Sequence, residues 1–305
     1  MGVCVLKIRW QGRSVHRNNR EILSKTAACL RYENIKVINV NTPHHMGSST
    51  PGRHLKTVNT TVDVIQALVE LNGAGVTELA DYLDLSKAAV HNHLTTLQAN
   101  RMAVKDGSTY RLGLRFVTLG EYVKHQSQLY EAGTGPTDGL ARETGEYAHL
   151  MTEEHGRGIH IYKSRGSEAV AEDYHHLNLE RPDYLHYSAA GKAVLAYLPE
   201  EWVDFIVEEY GLPARTEQTI TAPDMLREEL AEIRERGYAV NDEEEIVGLR
   251  AVGAPILASD GHVLGAISVS GPTSRMKGDT FRERIPEQVI EAANIIELNI
   301  ETSNA

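Results

Sequence analysis

Residues 76–111 read VTELADYLDLSKAAVHNHLTTLQANRMAVKDGSTYR, and the order of elements in this stretch decides how the rest of the chain is organised. Thr77 stands ahead of Glu78, Leu79, Ala80, Tyr82 and Leu83 as the N-cap of a short amphipathic helix. Ser86 caps a second helix carrying Val90, His93, Leu94 and Leu97. The Asp84-Leu85 pair between them leaves room only for a tight turn. Ala103-Val104-Lys105 and Thr109-Tyr110-Arg111-Leu112 flank Asp106-Gly107-Ser108, a hairpin signal because glycine tolerates the positive φ such turns need. The predicted order is helix, turn, helix, β-wing.

A helix of about a dozen residues fits the major groove of B-DNA, with the preceding helix held across the backbone. On the second helix Val90, Leu94 and Leu97 recur at three- and four-residue spacing and form the buried stripe. That leaves Lys87, Ala88, His91, Asn92 and Thr95 facing outward behind the Ser86 cap, with Lys105 and Arg111 on the wing. These eight residues are the candidate contacts to double-stranded DNA. Asparagine suits bidentate contact with adenine, and the cations suit phosphates. The competing reading is a helical hairpin that packs only within its own domain.

At 305 residues and 41% hydrophobic, the chain is long enough for two domains. It has no apolar run of about 18 residues, and its beginning lacks the pattern of a secretory signal, so a cytoplasmic location without membrane contact is the expectation. Charge is uneven. Residues 1–45 carry Lys7, Arg9, Arg13, Arg17, Arg20, Lys25, Arg31 and Lys36 against Glu21 and Glu33. Residues 46–115 are nearly balanced, so the overall net charge of −11 is concentrated beyond them. An acidic body repels DNA, and the balanced region is where phosphate contact is least opposed. The acidic, lysine-poor composition points to a high-salt cytoplasm, as in a haloarchaeon. Cys4 and Cys29 both fall in the first 45 residues, so no disulfide, thiolate metal site or cysteine nucleophile belongs to the body of the chain.

Residues 1–45 differ from the rest in charge, cysteine use and pattern, and are read as an extension outside the natural fold, with translation beginning at Met46. A basic arm reaching DNA is the alternative. From Thr60 to Leu71, Val62, Ile65, Leu68 and Val69 recur at helical spacing, with Gly73-Ala74-Gly75 as the stop. Phe116, Leu119, Tyr122 and Val123 begin one long helix that continues to Tyr130, and the pattern changes after Gly135-Pro136. Domain bounds follow: a winged helix-turn-helix at 46–114, a linker helix at 115–130 and a ligand-binding domain at 131–305. In the last, a hairpin over Tyr147–Met151 and Gly158–Tyr162 precedes helices at Gly191–Tyr197, Glu201–Glu209 and Pro223–Arg236. Strands at Tyr238–Val240, Ala251–Leu257 and His262–Ser270 and a helix at Pro286–Ile300 follow. Hairpin-linked strands mixed with helices imply an α+β domain around an antiparallel sheet.

Three stretches carry a family resemblance: LHYSAAGKAVLAYLP (185–199), IRERGYAVNDEEEIVGLRAVGAPI (233–256) and GAISVSGP (265–272). With their spacing they resemble the IclR family of transcription regulators across residues 46–302. The resemblance implies a GAF-like effector domain behind the linker helix, and a dimer or tetramer on a palindromic operator. It also implies an effector pocket at Ser188, Ala189, Asn241, Ala251, Ser268 and Ser270. Ala251 stands where members binding small keto acids often have Cys, and Asn241 where Asp is common. The pocket is therefore expected to be roomier and less acidic than theirs, suited to a larger organic, sugar or aromatic acid. Ala88, Ala89 and Asn92 also depart from the family's usual recognition helix, so the operator is not inherited.

Fourteen histidines invite a metal reading, but His175, His176 and His186 lack the spacing of a zinc helix and have no thiolate partners. Asp242-Glu243-Glu244-Glu245 lacks the ligand spacing and central glycine of a calcium loop. Gly191-Lys192 lacks a phosphate cradle, and no serine lies in a G-x-S-x-G elbow. No metal, cofactor or enzymatic activity is expected. The expected function is operator binding controlled by a small organic or sugar acid, against a stand-alone small-molecule sensor without specific DNA affinity.

Overall fold

A computed structural model describes residues 55–170 and 183–303; the 1–45 extension therefore lies outside the described residues. The chain opens with α1 (Lys56–Glu70), β1 (Ala74–Gly75), α2 (Val76–Tyr82), α3 (Lys87–Ala99), β2 (Ala103–Asp106) and β3 (Thr109–Leu112). The three strands form a small sheet in the order β1-β3-β2. The Asp106↔Thr109 pair closes the wing around Gly107, whose φ is +60°. One apolar cluster unites Val64 and Leu68 of α1, Leu79 of α2, Val90, Leu94 and Leu97 of α3, and Tyr110 of β3.

Three local expectations need correction. Val62 and Val69 are exposed, because at about 100° per residue they fall well off the face that Val64, Ala67 and Leu68 bury. Thr77 is not a cap. Gly75 is held extended by pairing with Thr109, so α2 begins at once with Val76 and Thr77 lies inside its first turn. Gly73-Ala74-Gly75 is also more than a stop, since Ala74 pairs with Tyr110. Ser86 does cap α3, its Oγ accepting from the Ala89 N–H at 3.2 Å.

The single linker helix is in fact two helices, α4 (Arg115–Lys124) and α5 (Gln128–Thr144). Ser127 has extended backbone, and its Oγ accepts from the Tyr130 N–H at 3.4 Å, capping a new helix where the sequence reading continued the old one. Helix α5 then runs through Gly135-Pro136, where the sequence predicts a boundary. A proline there leaves the Ala132 carbonyl without its helical donor. Asn299 Nδ2 donates to that carbonyl at 3.3 Å, and the helix survives.

The remaining elements are β4 (Tyr147–Glu154), β5 (Arg157–Arg165), α6 (Ala189–Leu195), α7 (Glu200–Tyr210), α8 (Pro223–Arg236), β6 (Ala239–Asp242), β7 (Leu249–Leu257), β8 (Val263–Pro272) and α9 (Ile285–Ser303). The strands make one antiparallel sheet in the order β5-β4-β8-β7-β6. Alternation splits its residues between two cores. Ala148, Leu150, Ile267 and Val269 pack beneath α5 and α9, while Met151 and Ala266 face α6, α7 and α8. The result is an α+β domain with helices on both faces of an antiparallel sheet. Among the described residues no helix is long and apolar enough to cross a membrane.

Candidate functional site

Helix α3 presents Ser86, Lys87, Ala88, His91, Asn92 and Thr95 to solvent on one side, opposite the fully buried Val90 and Leu94. Its 13 residues span about 20 Å at 1.5 Å per residue, the reach of a groove-reading helix. Thr95 Oγ1 donates to the His91 carbonyl at 2.8 Å and lies 3.4 Å from His91 Nδ1, which fixes its rotamer. The Asn92 carboxamide makes no hydrogen bond among the described residues, so its donors and acceptor are all available. His93, by contrast, turns inward, its Nδ1 2.9 Å from Thr61 Oγ1 and tying α3 to α1. On the wing, Lys105 is exposed with Nζ 5.3 Å from the Tyr110 ring centroid. The Arg111 stem lies against Gly73, where a Cβ would come within 2.8 Å of its Cγ.

The second site lies between the sheet and the start of α6. Gly253 of β7 lets the two approach, since a Cβ there would sit 2.8 Å from the Ala189 carbonyl carbon. A cavity of about 30 Å³ is enclosed by Ser188, Ala189, Ala251, Ser268 and Ser270, together with His149, His160, Ala190, Leu249 and Glu245. Five of the six residues named for this pocket from the sequence thus meet around one space. Asn241 does not line it. Its Oδ1 instead accepts from the Glu244 N–H at 2.9 Å and its Nδ2 reaches Glu245 Oε2 at 3.4 Å, so it shapes the loop that delivers Glu245.

About 30 Å³ is the space of a water or two. His149 and His160 also line this space, and Glu245 supplies a carboxylate to it. None of these three is among the pocket residues expected from the sequence, where Glu245 is weighed only as part of an acidic loop. His149 and Met151 stand two apart on β4 and share a face, and His160 pairs with Met151 across a bulge, a pairing that the sequence does not display.

His149 Nε2 lies 2.8 Å from Ser270 Oγ. The His160 Nδ1 atom is sealed from solvent and has no hydrogen-bond partner among the described residues. Burial, reinforced by the Lys163 ammonium, lowers the His160 pKa to about 3, so the ring is neutral at ordinary pH. Burial likewise brings Lys163 down to about 8, against the pull of Glu245 and Asp183. Ser188 Oγ accepts from the Gly191 N–H at 3.0 Å and is occupied as the α6 cap.

Behind the cavity, Lys192 Nζ donates to both oxygens of Glu244 at 2.6 and 2.8 Å and lies 3.5 Å from Glu229 of α8. Burial pushes the Glu244 carboxyl up while Lys192 draws it back. This bridge holds α6 to the loop carrying Glu245. His186 is a core residue: its Nε2 lies 3.1 Å from the Pro213 carbonyl, and burial lowers its pKa to about 4. His175 and His176 lie outside the described residues. Among the described residues, no three His, Cys, Asp or Glu side chains gather in a way that would hold a metal ion.

A model described as "IclR helix-turn-helix domain" matches residues 57–107, and one described as "Bacterial transcriptional regulator IclR C-terminal" matches residues 121–298. The "Probable HTH-type transcriptional regulator ArcR" of Halobacterium salinarum is 42% identical over 252 residues, covering 82% of this chain and 96% of that protein. The HTH-type transcriptional regulator XynR of Escherichia coli is 30% identical over 217 residues, covering 70% and 85%. Among solved structures, an IclR transcriptional regulator from Alicyclobacillus acidocaldarius superposes with a TM-score of 0.70 at 25% identity, covering 81% of this chain and 99% of that one. The Thermotoga maritima IclR superposes with a TM-score of 0.65, also at 25% identity and with the same coverage.

Proposed function

Since this chain belongs to the IclR family of helix-turn-helix transcriptional regulators, we propose that its operator binding is controlled by a small hydroxylated organic or sugar acid held in the cavity between the sheet and α6. One observation carries this reading. His160 Nδ1 is a buried polar atom without a partner among the described residues, on a residue that lines a space ringed by serine hydroxyls. Leaving such a group unsatisfied costs about 1–3 kcal/mol, and a ligand atom would recover it. Ser268 and Ser270 stand two apart on β8 and share a face, where their hydroxyls suit a carboxylate. Glu245 accepts from ligand hydroxyls and disfavours a second ligand carboxylate. Entry of an acid displaces side chains from a cavity this small, which supplies a means of altering the domain on binding.

At the other end, Lys87, His91, Asn92 and Thr95 would read or position DNA from the major groove, with Ser86 and Ala88 at the helix start and Lys105 and Arg111 on phosphates. Selection from a random DNA library with the full chain, followed by mass spectrometry of small molecules that copurify, tests the reading. An enriched palindrome is expected, with affinity that changes on adding the copurified acid in wild type but not in a Ser268→Ala/Ser270→Ala variant. Failure to enrich any sequence while the acid still binds would favour a stand-alone sensor.

A further inference from the structure

A second, larger recess lies between α5 and the end of β5. Its volume is about 280 Å³, and it is lined by Asp138, Arg142, Ser164, Arg165, Gly166 and Ser167. Asp138 and Arg142 are one helical turn apart and rise from the same face of α5. They form no ion pair with each other, and Arg142 is exposed with no hydrogen bond or ion pair among the described residues. Arg165, the last residue of β5, also lines the recess and is exposed. The Asp138 carboxylate is oriented from beneath, because Oδ1 accepts both the Tyr162 hydroxyl at 2.9 Å and the Ser164 hydroxyl at 2.6 Å. Burial and Asp138 push the Tyr162 phenol up to about 12, so that donor stays in place. Asp138 Oδ2 takes no donor among the described residues.

The loop bearing Ser167 is equally set. The Gly166 N–H donates to the Glu146 carbonyl and the Glu168 N–H to the Gly145 carbonyl, each at 2.9 Å. A Cβ on Gly166 would sit 2.2 Å from the Gly145 carbonyl carbon, so the loop passes against the end of α5 only as glycine. Arg142 and Arg165 thus line one groove together with the Asp138 carboxylate, on a chain whose net charge of −11 repels anions elsewhere. Arginine forks match the oxygens of a phosphate, whereas a lone carboxylate oxygen accepts a hydroxyl. The volume is at the small end for ligand sites, which limits the occupant to a few carbons.

We propose that this groove is a second ligand site, which binds a small hydroxylated phosphate monoester with its phosphoryl group between Arg142 and Arg165 and a hydroxyl donated to Asp138 Oδ2. It shares no residue with the cavity under α6, so either site could fail without the other. Calorimetry on the full chain, with glycerol phosphate, inorganic phosphate and glycerate as probes, tests it. Saturable binding of glycerol phosphate is expected, tighter than that of either other probe. Arg142→Gln and Arg165→Gln should each weaken it about tenfold, the order for losing a hydrogen bond to a charged group. Asp138→Asn should weaken glycerol phosphate yet strengthen inorganic phosphate, because it removes a repelling charge; a merely structural role would move both the same way. Absence of saturation, wild-type affinity in both arginine variants, or equal affinity for inorganic phosphate would overturn the proposal.

Discussion

A histidine that folding keeps neutral has a definite effect on stability. The pKa of His160 falls from 6.5 to about 3 and that of His186 from 6.5 to about 4. The unfolded chain therefore binds protons that the folded chain refuses between those values. Stability contributed by the neutral rings is complete above pH 6.5 and is lost as pH falls, through the window down to about 3 for His160 and about 4 for His186. Urea unfolding of wild type and His160→Gln from pH 7 to pH 4 should show a shallower acid loss in the variant, and parallel curves would contradict the assignment. On α3, Asn92→Ala should cost roughly 1–3 kcal/mol of operator affinity and relax discrimination at one base pair, whereas Lys105→Ala should weaken all sequences alike and lower the salt dependence. Titrations against the selected operator and scrambled DNA separate these effects; two variants that bind both DNAs as wild type does would exclude the residues from the interface. The two histidines of the cavity also mark where reading by residue type falls short. His175, His176 and His186 drew attention by proximity in sequence, but His186 is a core histidine against Pro213.

At the scale of elements, the Lys192–Glu244 bridge is the joint between the cavity and the helices behind it. Lys192 has 1% of its side chain exposed and Glu244 has 9%. Removing one partner of a buried pair leaves the other charge uncompensated, at a cost of about 3–5 kcal/mol. Lys192→Met should therefore destabilise strongly, and Lys192→Met with Glu244→Gln should recover much of the loss because no lone charge remains. Thermal unfolding of the two variants checks this, and a double variant less stable than the single would refute it. The local grammar of elements was largely legible: the Ser86 cap, the Asp106-Gly107 hairpin and Pro223 at the start of α8 act within a few residues, and the sequence displays such signals directly. The helix through Pro136 was not legible. Its missing donor is replaced by Asn299, 167 residues from Ala132, and no local pattern announces that.

For the whole molecule, α4 has no buried residue, and Leu119, Tyr122 and Val123 lie exposed along one side of it. An apolar face left uncovered by the described residues fits a symmetric oligomer, since one recognition helix would read only a few base pairs and a second half-site would supply the rest. Light scattering should give a dimer or larger assembly, and Leu119→Glu with Tyr122→Glu should lower both its mass and its operator affinity; a monomeric wild type that still binds a palindrome specifically would contradict this. The sequence alone determined the winged helix-turn-helix, the antiparallel α+β domain behind it and the serines that share a face of β8, because periodicity, caps and turn residues act over one or two turns of chain. Tertiary structure alone decided what those serines meet. Pairing of β4 with β8 carries His149 to Ser270 across 121 residues, and the Asn241 loop turns Glu245 rather than Asn241 into the cavity. The volume of that cavity was equally beyond the sequence, because the space between a helix and a sheet depends on every side chain that packs there at once and not on any spacing along the chain.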